Sequence, residues 1–354
     1  KLRFRVVDQM DALTFTWATR DLGEPISALF ISSDKEIIAG GWNGNMKCWG
    51  EDGSLLWSIQ LSDRIASILQ LNESYIVTDG MHVSCIKQGK MVWSQPLEGS
   101  ADLLAIGDET IIATSSVYDI EHGDFMESAI WTFTEQGEMI DVLRLDERPW
   151  HLHYGDGMMI GLGRPKCGIF VDGSFENLSS DSPVVCGVSK GDDCFFGHAD
   201  GTISTKDAQV FKHENSIKSL CLGELLVFSD EDGFLGALDT KTYELSWKEH
   251  GKIIHTHAIG FSSTHWCHRG DGVDQKIEIR NNKGEVIHSQ QLSRVNTFSS
   301  KGELMAAGLE TGIIHIWEER MFFRGLERNN ELKRDNRLDA KLLSLREKFS
   351  GNNK

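Results

Sequence analysis

The stretch that decides the fold runs from Ile26 to Leu61 and reads ISALFISSDKEIIAGGWNGNMKCWGEDGSLLWSIQL. It contains four short apolar segments. The second segment ends near Gly, the turn after it reads NG, and the fourth segment contains Trp. Asn-Gly turns between short apolar runs are typical of antiparallel strands joined by tight hairpins. The stretch therefore predicts a sheet of four short strands, the unit of a β-propeller blade.

This four-part pattern recurs along the chain. The intervals between the opening strands range from 33 to 47 residues, close to the roughly 40 residues of a four-stranded blade. We interpret residues 115–129, within the longest interval, as a loop that interrupts a hairpin. Eight onsets predict an all-β, eight-bladed β-propeller over residues 1–317, with seven blades as the alternative because the second and third copies have the weakest signals. The onsets are Ile26, Ile65, Leu103, Trp150, Val184, Ile217, Ile254 and Val295.

The last copy ends in GIIHIW at Trp317 and has three strands instead of four. Near the other end of the chain, ALTFTWATR alternates Leu13, Phe15 and Trp17 with Thr or Ala, which is the period of a half-buried strand. A strand from this region that completes the last blade would close the ring and leave no exposed sheet edge. We therefore expect residues 1–20 to supply the closing strand.

Five segments resemble those of WD-repeat and quinoprotein-like propellers. Three look like turns between second and third strands: HADGTI from 198, DEDGFL from 230 and LETGIIHIW from 309. Two are similar to the tryptophan-docking segment of the quinoprotein-like group: GSLLW from 53 and GKMVW from 89. The resemblance covers about residues 12–317 and implies that these tryptophans pack between neighbouring blades. It implies no cofactor, because non-catalytic relatives share the docking tryptophans.

Charge and composition bear on partners and compartment. The formal net charge of −17 argues against a nucleic-acid binder, because phosphate contacts need clustered Lys and Arg. No run of about 18 apolar residues occurs, so no membrane span is predicted. The seven cysteines form no CxxC pair, which favours free thiols and a cytoplasmic location, although Cys186 and Cys194 flank a turn and could face each other. The first residue, Lys1, is not Met, which leaves open that an upstream segment, such as a signal peptide, has been removed.

Residues 318–354 differ from the repeats and predict a helical tail. Leu338, Leu342, Leu345 and Phe349 recur at helical spacing with charges between them, which predicts an amphipathic helix with one apolar face. This face packs on the propeller itself, in a coiled coil or in the groove of a partner, and the sequence does not choose among the three.

A group of histidines and one cysteine contains the residue types that bind zinc. Alternation along strands places His255 with His257 on one face, and His265 with Cys267 on one face of the next strand. The two pairs would form a zinc site if the faces met. Core packing uses the same residue types, so we predict no metal, with these four residues as the candidate ligands.

The opening strands also suggest a partner site. Because the innermost strands of a propeller line its axis, polar residues near their starts should form a ring around one mouth of the channel. On an acidic body, basic residues there favour a protein partner with an acidic segment. The alternative is that each Arg pairs with a neighbouring acid such as Asp63 or Glu147. The candidate residues are Arg64, Arg148, His151, Lys218, His255, Arg294 and Asn296.

Strong structural repeats without a coherent set of catalytic residues predict a non-catalytic scaffold for protein–protein interaction, with no cofactor. It would bind its partner on the propeller face around the channel mouth, with the C-terminal helix as a further contact. Two alternatives stay open: a quinoprotein-like enzyme that uses the central channel for a small molecule, and an extracytoplasmic assembly factor.

Overall fold

A computed structural model of the protein describes residues 15–329 and 331. It contains eight antiparallel sheets of four strands each. In seven of them the four strands follow one another in the sequence, and the eighth joins the last three strands of the chain to the first. The first strands of neighbouring blades lie against one another around a common axis. The eight-bladed, all-β prediction is therefore confirmed over the seven-bladed alternative. We label the strands of each blade A to D from the axis outward.

The first strand of the chain, β1 (Ala18–Asp21), belongs to the last blade. Blade 1 contains β2 (Ile26–Ile31), β3 (Ile37–Gly41), β4 (Asn45–Trp49) and β5 (Leu55–Gln60). Blade 2 contains β6 (Ile65–Leu71), β7 (Ser74–Asp79), β8 (His82–Lys87) and β9 (Lys90–Pro96). Blade 3 contains β10 (Ser100–Ile106), β11 (Thr110–Asp119), β12 (Asp124–Thr134) and β13 (Met139–Leu145). Blade 4 contains β14 (Pro149–Tyr154), β15 (Met158–Leu162), β16 (Gly168–Val171) and β17 (Ser174–Asn177).

The remaining blades follow the same order. Blade 5 contains β18 (Val184–Lys190), β19 (Asp193–His198), β20 (Thr202–Ser204) and β21 (Gln209–Lys212). Blade 6 contains β22 (Ser219–Leu222), β23 (Leu225–Ser229), β24 (Phe234–Asp239) and β25 (Leu245–His250). Blade 7 contains β26 (Ile254–Ile259), the short helix η1 (Phe261–Ser263), β27 (His265–Asp271), β28 (Asp274–Arg280) and β29 (Val286–Gln291). Blade 8 contains β30 (Val295–Lys301), β31 (Leu304–Leu309) and β32 (Ile313–Glu318), with β1 as its fourth strand.

The ring is closed by the N-terminal strand, as the missing strand of the last repeat predicts. Strand β1 pairs antiparallel with β32, from Ala18 opposite Ile316 to Asp21 opposite Ile313. The strand begins later than the alternating segment suggests, and Leu13 lies outside the described residues. Phe15 precedes the strand and is buried in the core of the last two blades. Both ends of the chain therefore contribute to one sheet, which leaves no edge open in the ring.

The stretch 115–129 was predicted to be a loop, and this prediction is wrong. Strands β11 and β12 continue through most of it, with Ser116 paired to Ser128 and Asp119 paired to Asp124. The cross-strand pairing of Tyr118 and Phe125, whose ring centroids are 5.1 Å apart, extends the hairpin beyond the usual blade height. The long third interval is therefore an extended hairpin.

The meander gives the propeller two different faces. Strands A and C run in one direction and strands B and D in the other, so the turns between B and C lie on the same face as the connections from D to the next A. We call this the B–C face. The turns between A and B and between C and D lie on the opposite side, the A–B face.

Glycines in the B–C turns explain the NG and DG signatures. Gly44 and Gly233 have φ values of 84° and 90°, the left-handed region that glycine occupies without steric cost. A β-carbon on Gly44 would lie 2.6 Å from the carbonyl oxygen of Leu61. The Gly44 carbonyl accepts a 2.8 Å hydrogen bond from the Leu61 amide. Each such turn therefore holds the connection that leads to the next blade.

Tryptophans on the outer strands pack on glycines of the next blade, as the resemblance to tryptophan-docking propellers implies. A β-carbon on Gly89 would lie 2.7 Å from the β-carbon of Trp57, and one on Gly137 would lie 2.4 Å from the ring of Trp93. The Trp93 indole also donates a 3.0 Å hydrogen bond to the carbonyl of Glu135 in blade 3. The outer edges of neighbouring blades are thus locked together by large apolar contacts.

A helix follows the last strand and begins by packing on the propeller. Residues 319–329 are helical. Phe322 is fully buried in the cluster that contains Phe15 and Trp317, and Phe323 and Leu326 pack against it. The start of the tail is therefore part of the propeller core. The predicted interaction face, Leu338, Leu342, Leu345 and Phe349, lies outside the described residues.

We expect the closing strand to be essential for stability. Truncation of residues 1–21 should lower the melting temperature, by on the order of 10 °C, relative to truncation of residues 1–14, because only the longer deletion removes Phe15 and β1. Circular dichroism melting of the two proteins measures the difference. Equal melting temperatures would show that closure by β1 contributes little.

Candidate functional site

Most inner strands start with a buried residue followed by one that bulges out of the ladder. The pairing skips one residue after Ile26, Ile65, Ile254 and Val295, and all four are at most 1% exposed. A bulge turns the extra residue away from the regular alternation of its strand. The residues at this position are Ser27, Ala66, His255 and Asn296.

Polar residues at this second position connect neighbouring blades. Asn296 donates a 2.9 Å hydrogen bond to the carbonyl of Ile26, the first residue of the next inner strand. Ser27 donates a 2.6 Å hydrogen bond to Ile65 in the same way. Lys218 places its ammonium 2.9 Å from the carbonyl of Ile254. The predicted binding residues Lys218 and Asn296 therefore take part in holding the ring together, and their use by a partner stays a prediction.

His151 is not at the second position, contrary to the sequence alignment. Strand β14 begins at Pro149, opposite Leu162, and the bulged residue is Trp150. Proline is tolerated at the first residue of a strand, so the alignment to the first apolar residue was shifted by one. His151 instead hydrogen-bonds with the Ser189 hydroxyl of blade 5 at 2.5 Å, and burial lowers its pKa to about 4.

Arg148 pairs with an acidic residue, as the alternative interpretation of the arginines predicts. Its guanidinium lies 3.5 Å from Asp102 on the neighbouring blade, not beside Glu147. It is also sandwiched between aromatic rings, 3.6 Å from the centroid of Phe125 and 4.2 Å from that of Trp150. Burial lowers the pKa of Arg148 and raises that of Asp102. The extended hairpin of blade 3 therefore supplies Phe125, one of the two rings that flank the Arg148 guanidinium.

Arg64 and Arg294 are the exposed basic residues of the predicted ring. Both lie in connections on the B–C face, one residue before an inner strand. Arg64 stacks on Trp42 with its guanidinium carbon 4.0 Å from the ring centroid. Neither arginine forms an ion pair within the described residues. Arg64 thus leaves the edge of its guanidinium available for a further acceptor.

Large apolar side chains are exposed on the same face. Trp42 is 47% exposed and Trp150 is 38% exposed. Other exposed apolar residues occupy the B–C hairpin tips of three further blades, where Gly, Asn and Asp usually prevail. They are Met81 in blade 2, Tyr118 and Ile120 in blade 3, and Val273 in blade 7. Sequence reasoning named Trp150 only as a strand onset and singled out none of the others, because single apolar residues in turns carry no periodic signal.

Only two of the four predicted metal-ligand residues come together. The bulge sets His255 apart from His257, and its Nε2 lies 2.9 Å from the carbonyl of Gly270. Nδ1 of His257 lies 2.9 Å from Nε2 of His265, and 3.3 Å from Sγ of Cys221. Cys221 belongs to the inner strand of blade 6 and is the residue that the sequence reasoning missed. The donor atoms of Cys221, His257 and His265 lie within 4.8 Å of one another.

The seven cysteines are all free thiols. Cys186 and Cys194, which flank a turn, do not face each other, because the strand register pairs Cys186 with Gly197 and Cys194 with Ser189. Burial raises the pKa of Cys194 to about 11. Such thiols are inert packing groups unless a metal draws off the proton.

Within the described residues, no helix is both long and apolar enough to cross a membrane. No family model matches the chain, and no curated protein matches it. Solved structures do share its fold. BamB from Moraxella catarrhalis has 13% identity and a TM-score of 0.69, with 86% of this chain and 97% of that chain covered.

Two other propellers are equally similar. Sqt1 from Saccharomyces cerevisiae has 10% identity and a TM-score of 0.68, covering 86% of this chain and 99% of that one. The computationally designed Ika8 protein has 15% identity and a TM-score of 0.68, covering 84% of this chain and 98% of that one. The likenesses support the propeller resemblance seen in the sequence, and at these identities they show the fold alone.

The buried histidines predict acid sensitivity. His151 and His268 have pKa values lowered to about 4, chiefly by burial. Their ordinary value is about 6.5, so below that pH the unfolded chain takes up protons that the folded chain does not, and stability falls as the pH falls. Each such histidine should cost about 1.4 kcal/mol of unfolding free energy at pH 5.5 relative to pH 7.5.

Urea unfolding at both pH values measures this loss. His151→Gln should reduce the difference between the two pH values by the contribution of one histidine. A His151→Gln protein as acid-sensitive as the parent would refute the assignment.

Proposed function

We propose that the protein is a non-catalytic interaction scaffold that binds a protein partner on its B–C face. The observation that carries the proposal is the stack of Arg64 on the exposed ring of Trp42. Trp and Arg are the residues that most often dominate binding energy at protein interfaces. A stack held on the B–C face presents both types in a fixed orientation, which lowers the entropic cost of binding.

The position of this pair also supports the proposal. Trp42 lies in the B–C turn of blade 1, and Arg64 lies in the connection from blade 1 to blade 2. Both segments are held by the contacts of Gly44 with Leu61 described above. Met81 is exposed at the tip of the next B–C hairpin, which extends the apolar surface to blade 2. Clusters of exposed apolar side chains on a soluble protein commonly mark an interaction site.

The chemistry of the partner follows from these groups. A stacked guanidinium keeps in-plane N–H donors that suit a carboxylate, and the body of the protein carries a net negative charge. Arg294 is a second exposed arginine on this face. The two residues before it, Leu292 and Ser293, line a cleft together with Glu310. The partner is therefore a protein segment that combines an acidic residue with apolar side chains.

The inner-strand residues favour a scaffold over an enzyme that uses the channel. Lys218 and Asn296 are used in contacts between blades, and Ser27 is used in the same way. Groups that hold the ring are poorly suited to proton transfer or substrate binding in the channel. A cytoplasmic location is supported by the seven free thiols. The contribution of the C-terminal apolar face to partner binding stays a prediction from the sequence.

The double variant Trp42→Ala with Arg64→Glu tests the proposal. It should reduce partner capture at least 10-fold, because interface Trp and Arg residues commonly contribute about 2 kcal/mol or more each. Quantitative mass spectrometry of proteins captured at low salt provides the measurement. The melting temperature should change by only a few degrees, since both side chains are exposed.

A matched control is Met91→Ala with Arg144→Glu. It also removes one exposed apolar residue and reverses one exposed arginine, but on the outer strands of blades 2 and 3. The control should retain the captured partners. Equal capture by the two double variants would contradict a binding site on the B–C face.

A further inference from the structure

Three potential metal ligands converge where blades 6 and 7 meet. Cys221 lies on β22, the inner strand of blade 6. His257 lies on β26 and His265 on β27, the first two strands of blade 7. Cys221 and His265 are buried, and burial alone does not explain why three donor atoms are directed at one another.

A hydrogen-bond network without metal leaves this arrangement incompletely satisfied. Nε2 of His257 lies 2.7 Å from the Ser219 hydroxyl, which in turn lies 2.6 Å from that of Ser229. With its proton on Nε2, His257 has a single lone pair, on Nδ1. Both Nε2 of His265 and Sγ of Cys221 are directed at that lone pair. One acceptor cannot serve two donors well, and in the other tautomer the single proton on Nδ1 can be donated to only one of the two groups.

The other nitrogen of His265 gives a second indication. Nδ1 of His265 is buried and has no hydrogen-bond partner among the described residues. With its proton on Nδ1, the ring presents the lone pair of Nε2 to a cation. Such a bond would stabilise the ring, although it would not satisfy Nδ1 itself.

The distances suit zinc. Ligand atoms of a tetrahedral zinc centre lie about 3.3 to 3.6 Å apart, given Zn–N of about 2.0 Å and Zn–S of about 2.3 Å. The separations here are 2.9 Å between the two imidazole nitrogens and 3.3 Å between nitrogen and sulfur. The third separation, between Sγ of Cys221 and Nε2 of His265, is at most 4.8 Å, so side-chain shifts of at most about 1.3 Å would bring the three donors to zinc distances. One thiolate and two imidazoles form a donor set that suits zinc.

The surroundings supply what a metal site needs. Ser219 holds the His257 ring from the far side, as outer hydrogen-bond partners of metal ligands do. A narrow cleft of about 10 Å³, lined by His265 and Trp247 among others, reaches His265 from the A–B face, and this is about the space that one water molecule needs. The ionic cluster of Arg269 and Arg280 nearby is balanced by Glu249 and Glu278.

We propose that Cys221, His257 and His265 bind one zinc ion at the junction of blades 6 and 7. The three protein donors leave a fourth position for water. The site connects an inner strand of one blade to two strands of the next, so bound zinc would stabilise this junction by binding the folded ring only.

Metal content tests the proposal. The full chain, treated with a chelator and then dialysed against Zn²⁺, should retain about one zinc per chain by mass spectrometry. Cys221→Ser and His265→Gln should retain at least ten times less. Cys267→Ser is the matched control, because Cys267 is a buried thiol opposite His257 in the strand register but outside the donor group. It should bind zinc like the parent protein.

Cobalt substitution tests directly for a thiolate ligand. Co²⁺ added to the parent protein should produce the near-ultraviolet charge-transfer absorbance of a cobalt–thiolate bond. This band should persist in Cys267→Ser and vanish in Cys221→Ser. Zinc should also raise the melting temperature of the parent protein and not that of Cys221→Ser.

Two results would overturn the assignment. One is a parent protein that takes up neither Zn²⁺ nor Co²⁺, even when it is refolded in the presence of the metal. The other is zinc retained equally by the parent and by Cys221→Ser. If Cys221→Ser does not fold, the cobalt band of the parent protein decides, because absence of that band excludes a thiolate ligand.

Discussion

The ring depends on the contact that the first residue of an inner strand makes with the blade before it. A β-carbon on Gly40 would lie 2.5 Å from the side chain of Ile65, and one on Gly308 would lie 2.5 Å from that of Ile26. Glycine on strand B therefore creates the space that an aliphatic residue of the next blade fills. Because closely packed interiors tolerate little change of volume, this contact sets how near the blades approach one another.

This constraint determines which polar residues are available for function. The carbonyl of each such aliphatic residue needs a partner, and at several junctions the second-position side chain of the preceding blade supplies it. The inner ends of the strands are thus occupied by structural contacts. Groups free to bind another molecule lie further out, in the B–C turns and the connections between blades, as Arg64 and Trp42 show. Rigid strands with variable turns are a common basis for binding surfaces.

The fold could be predicted from the sequence because each blade repeats the same local chemistry at a regular interval. The candidate sites could not, because they depend on exceptions to that regularity. Pro149 begins a strand and so displaces His151 by one residue. The bulge at His255 reverses the face on which that side chain lies. The stacking of Arg64 on Trp42 could be found only from the tertiary structure. Cys221 lies 36 residues before His257, which is about one repeat. A comparison of equivalent strands in adjacent blades could therefore have identified Cys221 as a candidate ligand.

The junction of blades 6 and 7 contains a buried polar network that favours the zinc assignment. Ser219 and Ser229 lie opposite each other on strands A and B of blade 6, and they lead through hydrogen bonds to His257. Polar groups at a buried junction cost desolvation free energy unless every one is satisfied, and here the network ends at two groups competing for one nitrogen. His265 begins strand B, so the cluster lies toward the A–B face, whereas Arg64 and Trp42 lie on the B–C face. Metal binding and partner binding are therefore properties of opposite ends of the propeller, and loss of one need not cause loss of the other.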